Sequence, residues 1–257
     1  MLAGRGAVVT GAGRGIGAAI AERLAAAGAA VVLAARSRGE LEAVAERIRA
    51  AGGTAHVAPC DVADEASVEG LRRLALARLG AVDILVNNAG VAGSAPLRAL
   101  ELAEWNRMLA VNATGTFLCT RAFLPAMAER GWGRVIAIAS VAARTGAPYI
   151  AAYAASKHAV LGLVRCAALE VARQGVTVNA VCPGYVDTPM TEQSIQRIVA
   201  RTGRSREEAL AAILATTPQR RLIRPEEVAG LVLWLCSPEA AGVNGQALVL
   251  DGGGVQG

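Results

Sequence analysis

The segment Val8-Val9-Thr10-Gly11-Ala12-Gly13-Arg14-Gly15-Ile16-Gly17 joins a short β-branched run to the start of a helix-length stretch. Four of the seven residues from 11 to 17 are glycine, more than a plain turn needs. Missing side chains let a backbone turn tightly and come close to a ligand, and a helix that begins there offers N–H donors and the positive end of its dipole. The segment therefore predicts a strand–loop–helix unit whose loop binds a pyrophosphate.

The rest of the chain alternates between short β-rich apolar runs and amphipathic stretches of helical length. This alternation is typical of a parallel sheet with crossover helices. The predicted strands are Ala7–Thr10, Ala30–Ala34, Ala55–Pro59, Ile84–Asn87, Arg134–Ala139, Thr177–Val181 and Ala247–Leu250. No repeat, low-complexity linker or break in composition divides the 257 residues. We therefore expect one α/β domain over residues 1–257, with a doubly wound, seven-stranded parallel sheet flanked by helices.

The composition excludes several classes of function. Hydrophobic residues make up 54% of the chain but aromatic residues only 3%, and the arginines behind the net charge of +5 are dispersed. A small phosphorylated partner is therefore a better expectation than nucleic acid. Five scattered cysteines and two histidines predict no metal site. The apolar runs are too short to span a bilayer, and the first predicted strand leaves no room for a signal peptide, so we expect a cytoplasmic protein.

The basic residues contain a single lysine. Of 26 lysines and arginines only Lys157 is a lysine, and it lies four residues after Tyr153, one of three tyrosines. In a helix this spacing places the phenol and the ammonium on one face, one turn apart. A nearby cation favours phenolate over phenol, so the pair predicts a lowered phenol pKa and a group that donates and accepts protons near neutral pH. The alternative is a chance pair on a solvated helix face.

The end of the second predicted strand indicates which dinucleotide would bind. A carboxylate there would hold the adenosine ribose hydroxyls of NAD. The chain instead has Ala34-Ala35-Arg36-Ser37, and Arg14 adds a second cation within the glycine loop. Two guanidinium groups without a carboxylate suit a 2′-phosphate, which predicts NADP(H). The alternative is a pair of solvated arginines.

Ser37 and Glu40 also have capping-box spacing for the next helix.

The least regular part of the chain is a polar, arginine-rich stretch, Thr191–Thr217, after the sixth predicted strand. It lies on the side of the sheet where open α/β sheets bind ligands. We interpret it as a substrate lid at residues 191–217, and an ordinary pair of surface helices is the alternative.

Together these segments resemble the short-chain dehydrogenase/reductase (SDR) family in its single-domain form. The resemblance covers essentially the whole chain, with every motif in the family's order and spacing. The matching positions are Thr10, Gly11, Gly15 and Gly17 in the loop, Asp61 and Val62 after the third strand, Asn87, Asn88, Ala89 and Gly90 after the fourth, Asn112, Ser140, Tyr153 and Lys157 at the catalytic positions, and Pro183, Gly184 and Thr188 after the sixth. The resemblance implies a Rossmann-like fold and an NAD(P)-dependent oxidoreductase acting on CH–OH groups. The Tyr-x-x-x-Lys spacing argues against the family's enoyl reductases, which space these residues more widely.

The resemblance also implies a mechanism, namely hydride transfer between nicotinamide C4 and a carbonyl carbon. Ser140 would hydrogen-bond the carbonyl oxygen, and Tyr153 would give it a proton during reduction. Lys157 would bind the nicotinamide ribose and lower the phenol pKa, while Asn112 would hold a water that links Lys157 to solvent. The candidate cofactor contacts are Gly11, Arg14, Gly15, Ile16, Gly17, Arg36, Asp61, Val62, Asn88, Ala89, Gly90, Tyr153, Lys157, Pro183, Gly184, Val186 and Thr188.

Among SDR enzymes the overall pattern is most similar to 3-oxoacyl-thioester reductases, which act on acyl-carrier-protein (ACP), CoA or polyketide substrates. Arginines in and beyond the predicted lid would suit the phosphates of such carriers, although a solvated helix face explains them equally well. They are Arg197, Arg201, Arg204, Arg206, Arg220, Arg221 and Arg224. The alternatives are a reductase or dehydrogenase for a free ketone, secondary alcohol, steroid or sugar, and a non-catalytic NADP-binding scaffold. The family resemblance further implies a homotetramer.

Overall fold

Seven parallel strands form one sheet in the computed structural model, which describes residues 1–255. Its order is β3-β2-β1-β4-β5-β6-β7. The strands are β1 (Gly6–Thr10), β2 (Ala30–Ala35), β3 (Thr54–Pro59), β4 (Ile84–Asn87), β5 (Gly133–Ile138), β6 (Val176–Pro183) and β7 (Ala247–Leu250). All seven predicted strands are confirmed, with ends that differ from the prediction by at most two residues.

Helices cover both faces of the sheet. They are α1 (Gly15–Ala26), α2 (Arg38–Ala50), α3 (Glu65–Leu79), α4 (Leu102–Met108), α5 (Gly115–Glu129), α6 (Ala151–Glu170), α7 (Pro189–Thr202), α8 (Arg206–Leu214) and α9 (Pro225–Leu235). A π-helical turn, Leu109–Thr114, connects α4 to α5. The chain thus forms the doubly wound, single-domain α/β fold that its alternating pattern predicts.

The core consists of two layers, one on each side of the sheet. In β1, Ala7 and Val9 belong to the layer that α1, α2 and α9 cover, and Val8 belongs to the layer under α3, α5 and α6. Every residue of β1 is buried. Burial on both faces explains why the strands read as continuous apolar runs rather than as alternating apolar and polar residues.

The strand order reverses between β1 and β4. From β1 the chain moves outward through β2 and β3, and it then returns to the other side of β1 to form β4, β5, β6 and β7. The connections that follow β1 and β4 therefore run to opposite faces of the sheet. This divergence opens a crevice at the carboxyl ends of the strands, where doubly wound folds bind their ligands.

Two helices stand outside the sheet layers, between β6 and α9. Helices α7 and α8 share a small apolar cluster of Ile195, Ala209 and Ile213. Arg201 fastens α7 to the loop after β4, because its Nη2 donates to the carbonyl oxygen of Ser94 at 2.8 Å. The segment predicted as a lid is therefore a helical pair packed across the carboxyl side of the sheet.

The cysteines form no disulfide: Cys60, Cys119, Cys182 and Cys236 are buried free thiols, and Cys166 is an exposed one. Within residues 1–255 no group of three or more His, Cys, Asp or Glu side chains is placed to hold a metal ion. None of the helices described is both long enough and apolar enough to traverse a bilayer.

Candidate active site

The glycine loop connects β1 to α1 with the backbone that its glycines permit. Gly11 and Gly15 have φ values of 64° and 54°, in the left-handed region that side chains disfavour. A Cβ at Gly11 would lie 2.8 Å from the Cα of Ala89, and one at Gly17 would clash with the Gly11 carbonyl. No side chain caps α1. Its first N–H groups therefore stay available to an anion.

Thr10 and Asn88 join this loop to the end of β4. The Thr10 hydroxyl accepts hydrogen bonds from the N–H groups of Asn88 and Ala89, each at 3.0 Å. In return, the Asn88 amide donates to the carbonyls of Thr10 at 3.0 Å and Gly11 at 3.1 Å. These bonds hold the two diverging connections together at the base of the crevice.

A cavity of about 500 Å³ follows the crevice. Most of the predicted cofactor residues line it, namely Gly11, Arg14, Gly15, Ile16, Arg36, Asp61, Val62, Asn88, Ala89, Gly90 and Thr188. Thr188 faces Gly15 across the crevice, since a Cβ on Gly15 would lie 3.2 Å from the Thr188 methyl group. The remaining predicted residues, Gly17, Tyr153, Lys157, Pro183, Gly184 and Val186, do not line this cavity. For Val186 the reason is packing, because its side chain belongs to the buried core.

Tyr153 and Lys157 lie one turn apart on α6. The Lys157 side chain is buried, its Nζ donates to the Ile138 carbonyl at 2.8 Å, and the same Nζ lies 5.8 Å from the centre of the Tyr153 ring. Ser140 follows β5 and is also buried. A solvated helix face is therefore the wrong interpretation of this pair.

The pKa predicted for Tyr153 is wrong in direction for the protein alone. Burial raises the pKa of Tyr153 above its usual value near 10, and the neighbouring Ser140 hydroxyl offsets only part of the rise. Burial also lowers the pKa of Lys157 to about 8. Desolvation disfavours both charged forms. It prevails here because Lys157 is bound to a backbone carbonyl rather than to the phenol.

Asn112 sits in the π-helical turn, and protein groups bind both the oxygen and the nitrogen of its side-chain amide. Its Oδ1 accepts from the Val91 N–H at 2.8 Å, and its Nδ2 donates to the Val91 carbonyl at 3.0 Å and to the Ser156 hydroxyl at 2.9 Å. Gly90 lies between Asn112 and Lys157, because a Cβ on Gly90 would be 3.3 Å from Asn112 Oδ1 and 3.6 Å from Lys157 Nζ. Ser156, which no sequence motif predicted as part of the site, links Asn112 to α6, and its hydroxyl also donates to the Tyr153 carbonyl at 2.7 Å.

The cavity also contains an acidic side chain that the sequence did not predict there. Glu40, in the first turn of α2, lines the cavity beside Arg36, and its Oε1 lies 3.2 Å from Arg14 Nη1. Only half of the predicted capping box forms. Ser37 Oγ accepts from the Glu40 N–H at 3.4 Å, but the Glu40 carboxylate binds Arg14 instead. The capping spacing was the available signal, because it places Glu40 one turn beyond the second strand.

Most of the arginines suggested as phosphate contacts in or near the lid have protein partners. Arg206 pairs with Glu192 at 2.7 Å, and Arg221 and Arg224 pair with Glu227 at 2.7 and 3.5 Å. Arg201 binds the Ser94 carbonyl, as described above. Arg197 lines the cavity and is the member of the set best placed to meet a ligand.

Comparisons with known proteins agree with this architecture. A family model described as enoyl-(acyl carrier protein) reductase matches residues 11–254. D-beta-hydroxybutyrate dehydrogenase of Rhizobium meliloti (strain 1021) is 38% identical over 96% of this chain and 97% of its own length. Short-chain reductase protein NovJ of Streptomyces niveus is 40% identical over 96% of this chain and 92% of its own.

A solved structure gives the same result. The crystal structure of a variant of actinorhodin polyketide ketoreductase with NADPH superimposes with a TM-score of 0.95 at 41% identity, covering 99% of each chain. The matched region contains the glycine loop, Asn88 and the Tyr153–Lys157 pair. On its sequence, its fold and these relatives, the chain belongs to the short-chain dehydrogenase/reductase family of oxidoreductases.

Proposed function

We propose that the chain reduces a carbonyl group with NADP(H), and that its substrate is a 3-oxoacyl thioester carried on CoA or ACP. The observation that carries the proposal is the buried ammonium of Lys157, which lies next to Gly90 of the dinucleotide crevice and one helical turn from Tyr153. A buried lysine without a carboxylate partner is costly for a fold, so its position favours a functional role.

The residues of the crevice fit a dinucleotide. The glycine loop and the uncapped start of α1 would hold the pyrophosphate, and Asp61 and Val62 would contact the adenine. Lys157, which lies behind Gly90 at the cavity wall, would hold the nicotinamide ribose. When bound, the cofactor supplies a hydride from C4 of its nicotinamide. The printed description of the family model names enoyl reduction, but the four-residue Tyr153–Lys157 spacing favours carbonyl reduction.

Tyr153 would donate the proton that the reduced carbonyl oxygen takes up, and Ser140 would hydrogen-bond that oxygen. The raised pKa of Tyr153 suits this direction, because it keeps the phenol protonated at neutral pH. Lys157 and a bound oxidised cofactor would bring positive charge that lowers this pKa when the phenol must accept a proton.

Replacing Tyr153→Phe is expected to lower kcat by about 10²- to 10⁴-fold, the usual contribution of a general acid. NADPH affinity should change by less than about threefold, because the substitution keeps the ring that packs in the site. Steady-state kinetics and NADPH fluorescence titration measure the two quantities. Tyr149→Phe is the matched control, because Tyr149 is exposed, and it should keep wild-type kcat. Near-normal turnover by the Tyr153 variant would refute the proton role.

The preference for NADP(H) rests on two cations at the adenosine end of the crevice. Arg14 and Arg36 both line the cavity, and Arg36 has no ion-pair partner within residues 1–255. A guanidinium forms charge-assisted, often bidentate hydrogen bonds with a phosphate. The NADPH-bound structural relative agrees with this preference.

Wild-type kcat/KM is expected to favour NADPH over NADH, and Arg36→Asp should reduce that ratio by at least about tenfold, the value of one lost charged hydrogen bond. Arg38→Asp is the control, since Arg38 pairs with Glu42 at 3.7 Å and does not line the cavity. Equal kcat/KM values for NADPH and NADH in the wild type would contradict the proposed preference for NADP(H).

Lys157 should make cofactor affinity depend on pH. Its pKa of about 8 means that the ammonium is present below pH 8 and is lost above it. The charged form makes the stronger hydrogen bond to a ribose hydroxyl, so the Kd for NADPH should change little from pH 6.5 to 7.5. Above pH 8 the Kd should rise with pH, with a slope of at most about tenfold per pH unit. In Lys157→Met the Kd should be higher at pH 7 and change little up to pH 9.5. The same alkaline rise in the variant would contradict the assignment.

An arginine of the lid and the names of the relatives support a carrier-bound substrate. Arg197 reaches the cavity from the lid and would suit a carrier phosphate. A relative named for polyketide ketoreduction supports a thioester, whereas one named for hydroxybutyrate favours a free hydroxy acid as the second candidate.

With NADPH, kcat/KM for acetoacetyl-CoA should exceed that for acetoacetate and simple diketones by at least about tenfold, since each charged contact to the carrier contributes about 1.5–3 kcal/mol. The N-acetylcysteamine thioester of acetoacetate, which lacks phosphates, separates recognition of the thioester from recognition of the carrier. A higher kcat/KM for acetoacetate would instead favour the hydroxy-acid alternative.

A non-catalytic NADP-binding scaffold is the alternative of another class. The presence of Ser140, Tyr153 and Lys157 together argues against it, because a binder needs no proton donor. NADPH binding without oxidation against a broad carbonyl panel would favour it.

The substrate lid at residues 191–217 is part of the proposed function, supported by Arg197 on the cavity wall. The homotetramer and the cytoplasmic location stay predictions.

A further inference from the structure

Within residues 1–255, two acidic residues line the cavity, Asp61 and Glu40. Of these, Glu40 contacts one of the two arginines, Arg14. Its carboxylate lies against the glycine loop, because a Cβ on Gly13 would be 3.0 Å from Glu40 Oε2 and 2.9 Å from Glu40 Cβ. Ser37 holds the start of α2 through the Glu40 N–H at 3.4 Å. The carboxylate is therefore positioned by both the helix and the loop.

The Arg14–Glu40 pair is solvated. The two side chains are 61% and 41% exposed, and the nearest nitrogen and oxygen are 3.2 Å apart. Exposed pairs of this kind are weak, so a phosphate can displace the carboxylate from Arg14. The displaced carboxylate stays on the wall of the same cavity, where a phosphate with a charge of about −1.5 to −2 would feel its repulsion.

We propose that Glu40 is a specificity-determining residue, the counter-ion that holds Arg14 in the ligand-free protein and weakens its binding of a 2′-phosphate. The inference rests on the proposed NADP(H) site and refines it. Arg36 supplies a cation that has no acidic partner among the described residues, whereas Glu40 occupies Arg14 Nη1 and partly neutralises its charge. Glu40 thus sets an upper limit on the preference for NADP(H) over NAD(H).

The test compares two nucleotide fragments by calorimetry on the full chain. 2′,5′-ADP carries the 2′-phosphate and 5′-AMP lacks it, and neither requires turnover. Glu40→Gln removes the charge and keeps the size of the side chain. It should lower the Kd for 2′,5′-ADP by about three- to tenfold, and change the Kd for 5′-AMP by less than about twofold, as expected for loss of an exposed pair and of one like-charge repulsion.

Glu42→Gln is the matched control. Glu42 lies on the same helix, pairs with Arg38 and Arg49 at 3.7 Å each, and does not line the cavity. The Glu42→Gln substitution removes the same charge as Glu40→Gln, but from outside the cavity. Because salt screens exposed charges at a distance, both Kd values should stay within about twofold of the wild type. A gain in Glu42→Gln equal to that in Glu40→Gln would show a general charge effect and overturn the inference.

A second background tests whether Glu40 acts through Arg14. In Arg14→Gln, the further change Glu40→Gln should give a smaller gain for 2′,5′-ADP than it gives alone, since coupled residues are not additive. A full gain in that background would overturn the role of Glu40 as the counter-ion of Arg14. Glu40→Ala replaces Glu40→Gln if thermal melting shows that the latter is unfolded.

Other outcomes separate the inference from the proposed function. Weaker binding of 5′-AMP by Glu40→Gln, with 2′,5′-ADP unchanged, would assign Glu40 to the ribose hydroxyls and overturn the inference. Equal affinity of the wild type for both fragments, with a preference for 2′,5′-ADP gained in Glu40→Gln, would support the inference while refuting the NADP(H) preference. Failure of the wild type and all variants to bind either fragment would overturn both.

Discussion

The hydrogen bonds between Thr10 and Asn88 are the constraint on which the rest of the site depends. Two bonds join these residues directly, and two more run from the Ala89 N–H to the Thr10 hydroxyl and from the Asn88 amide to the Gly11 carbonyl, all at 3.0–3.1 Å. Together they join the ends of β1 and β4 at the place where the strand order reverses. The strand ladder pairs β1 with β4 only as far as Val9 and Val86. Beyond that pair the two connections leave toward opposite faces of the sheet, and these hydrogen bonds hold them together. Because the bonds use one hydroxyl and one amide against backbone groups, they satisfy buried polar atoms and set the shape of the glycine loop at once.

The second determinant of the site is the desolvation of charged groups beside that crevice. Lys157 is buried, and its hydrogen-bond partner is the Ile138 carbonyl. Burial lowers the pKa of Lys157 to about 8, so its charge can change close to neutral pH. The same burial keeps the Tyr153 phenol protonated. At the other end of the crevice, Arg14, Arg36 and Glu40 remain solvated, so their interactions are weak and exchangeable. A buried phenol and amine therefore lie beside one end of the crevice, and exposed charged groups line the other.

The strands and the glycine loop could be predicted because their causes are local. Apolar runs such as Val31–Leu33 are buried on both faces, and Gly11 and Gly15 adopt backbone angles that other residues disfavour. The π-helical turn at Asn112 could not be predicted in this way. Asn112, within this turn, donates hydrogen bonds to the Val91 carbonyl and the Ser156 hydroxyl, which lie 21 and 44 positions away in the chain. No local pattern in residues 109–114 predicts the turn.

The sequence by itself determined the order of strands and helices, the position of the glycine loop, and the residue types available for proton transfer and phosphate recognition. Only the tertiary structure decided how those groups are charged and paired. The Tyr153–Lys157 spacing predicted a lowered phenol pKa, yet packing raises it, because desolvation depends on every element that covers the ring. The sequence has no acidic residue at the end of β2, yet in the folded protein the first turn of α2 brings Glu40 to Arg14. Spacing along a chain specifies which groups can meet, whereas burial and competing partners, which are properties of the folded molecule, set their charge.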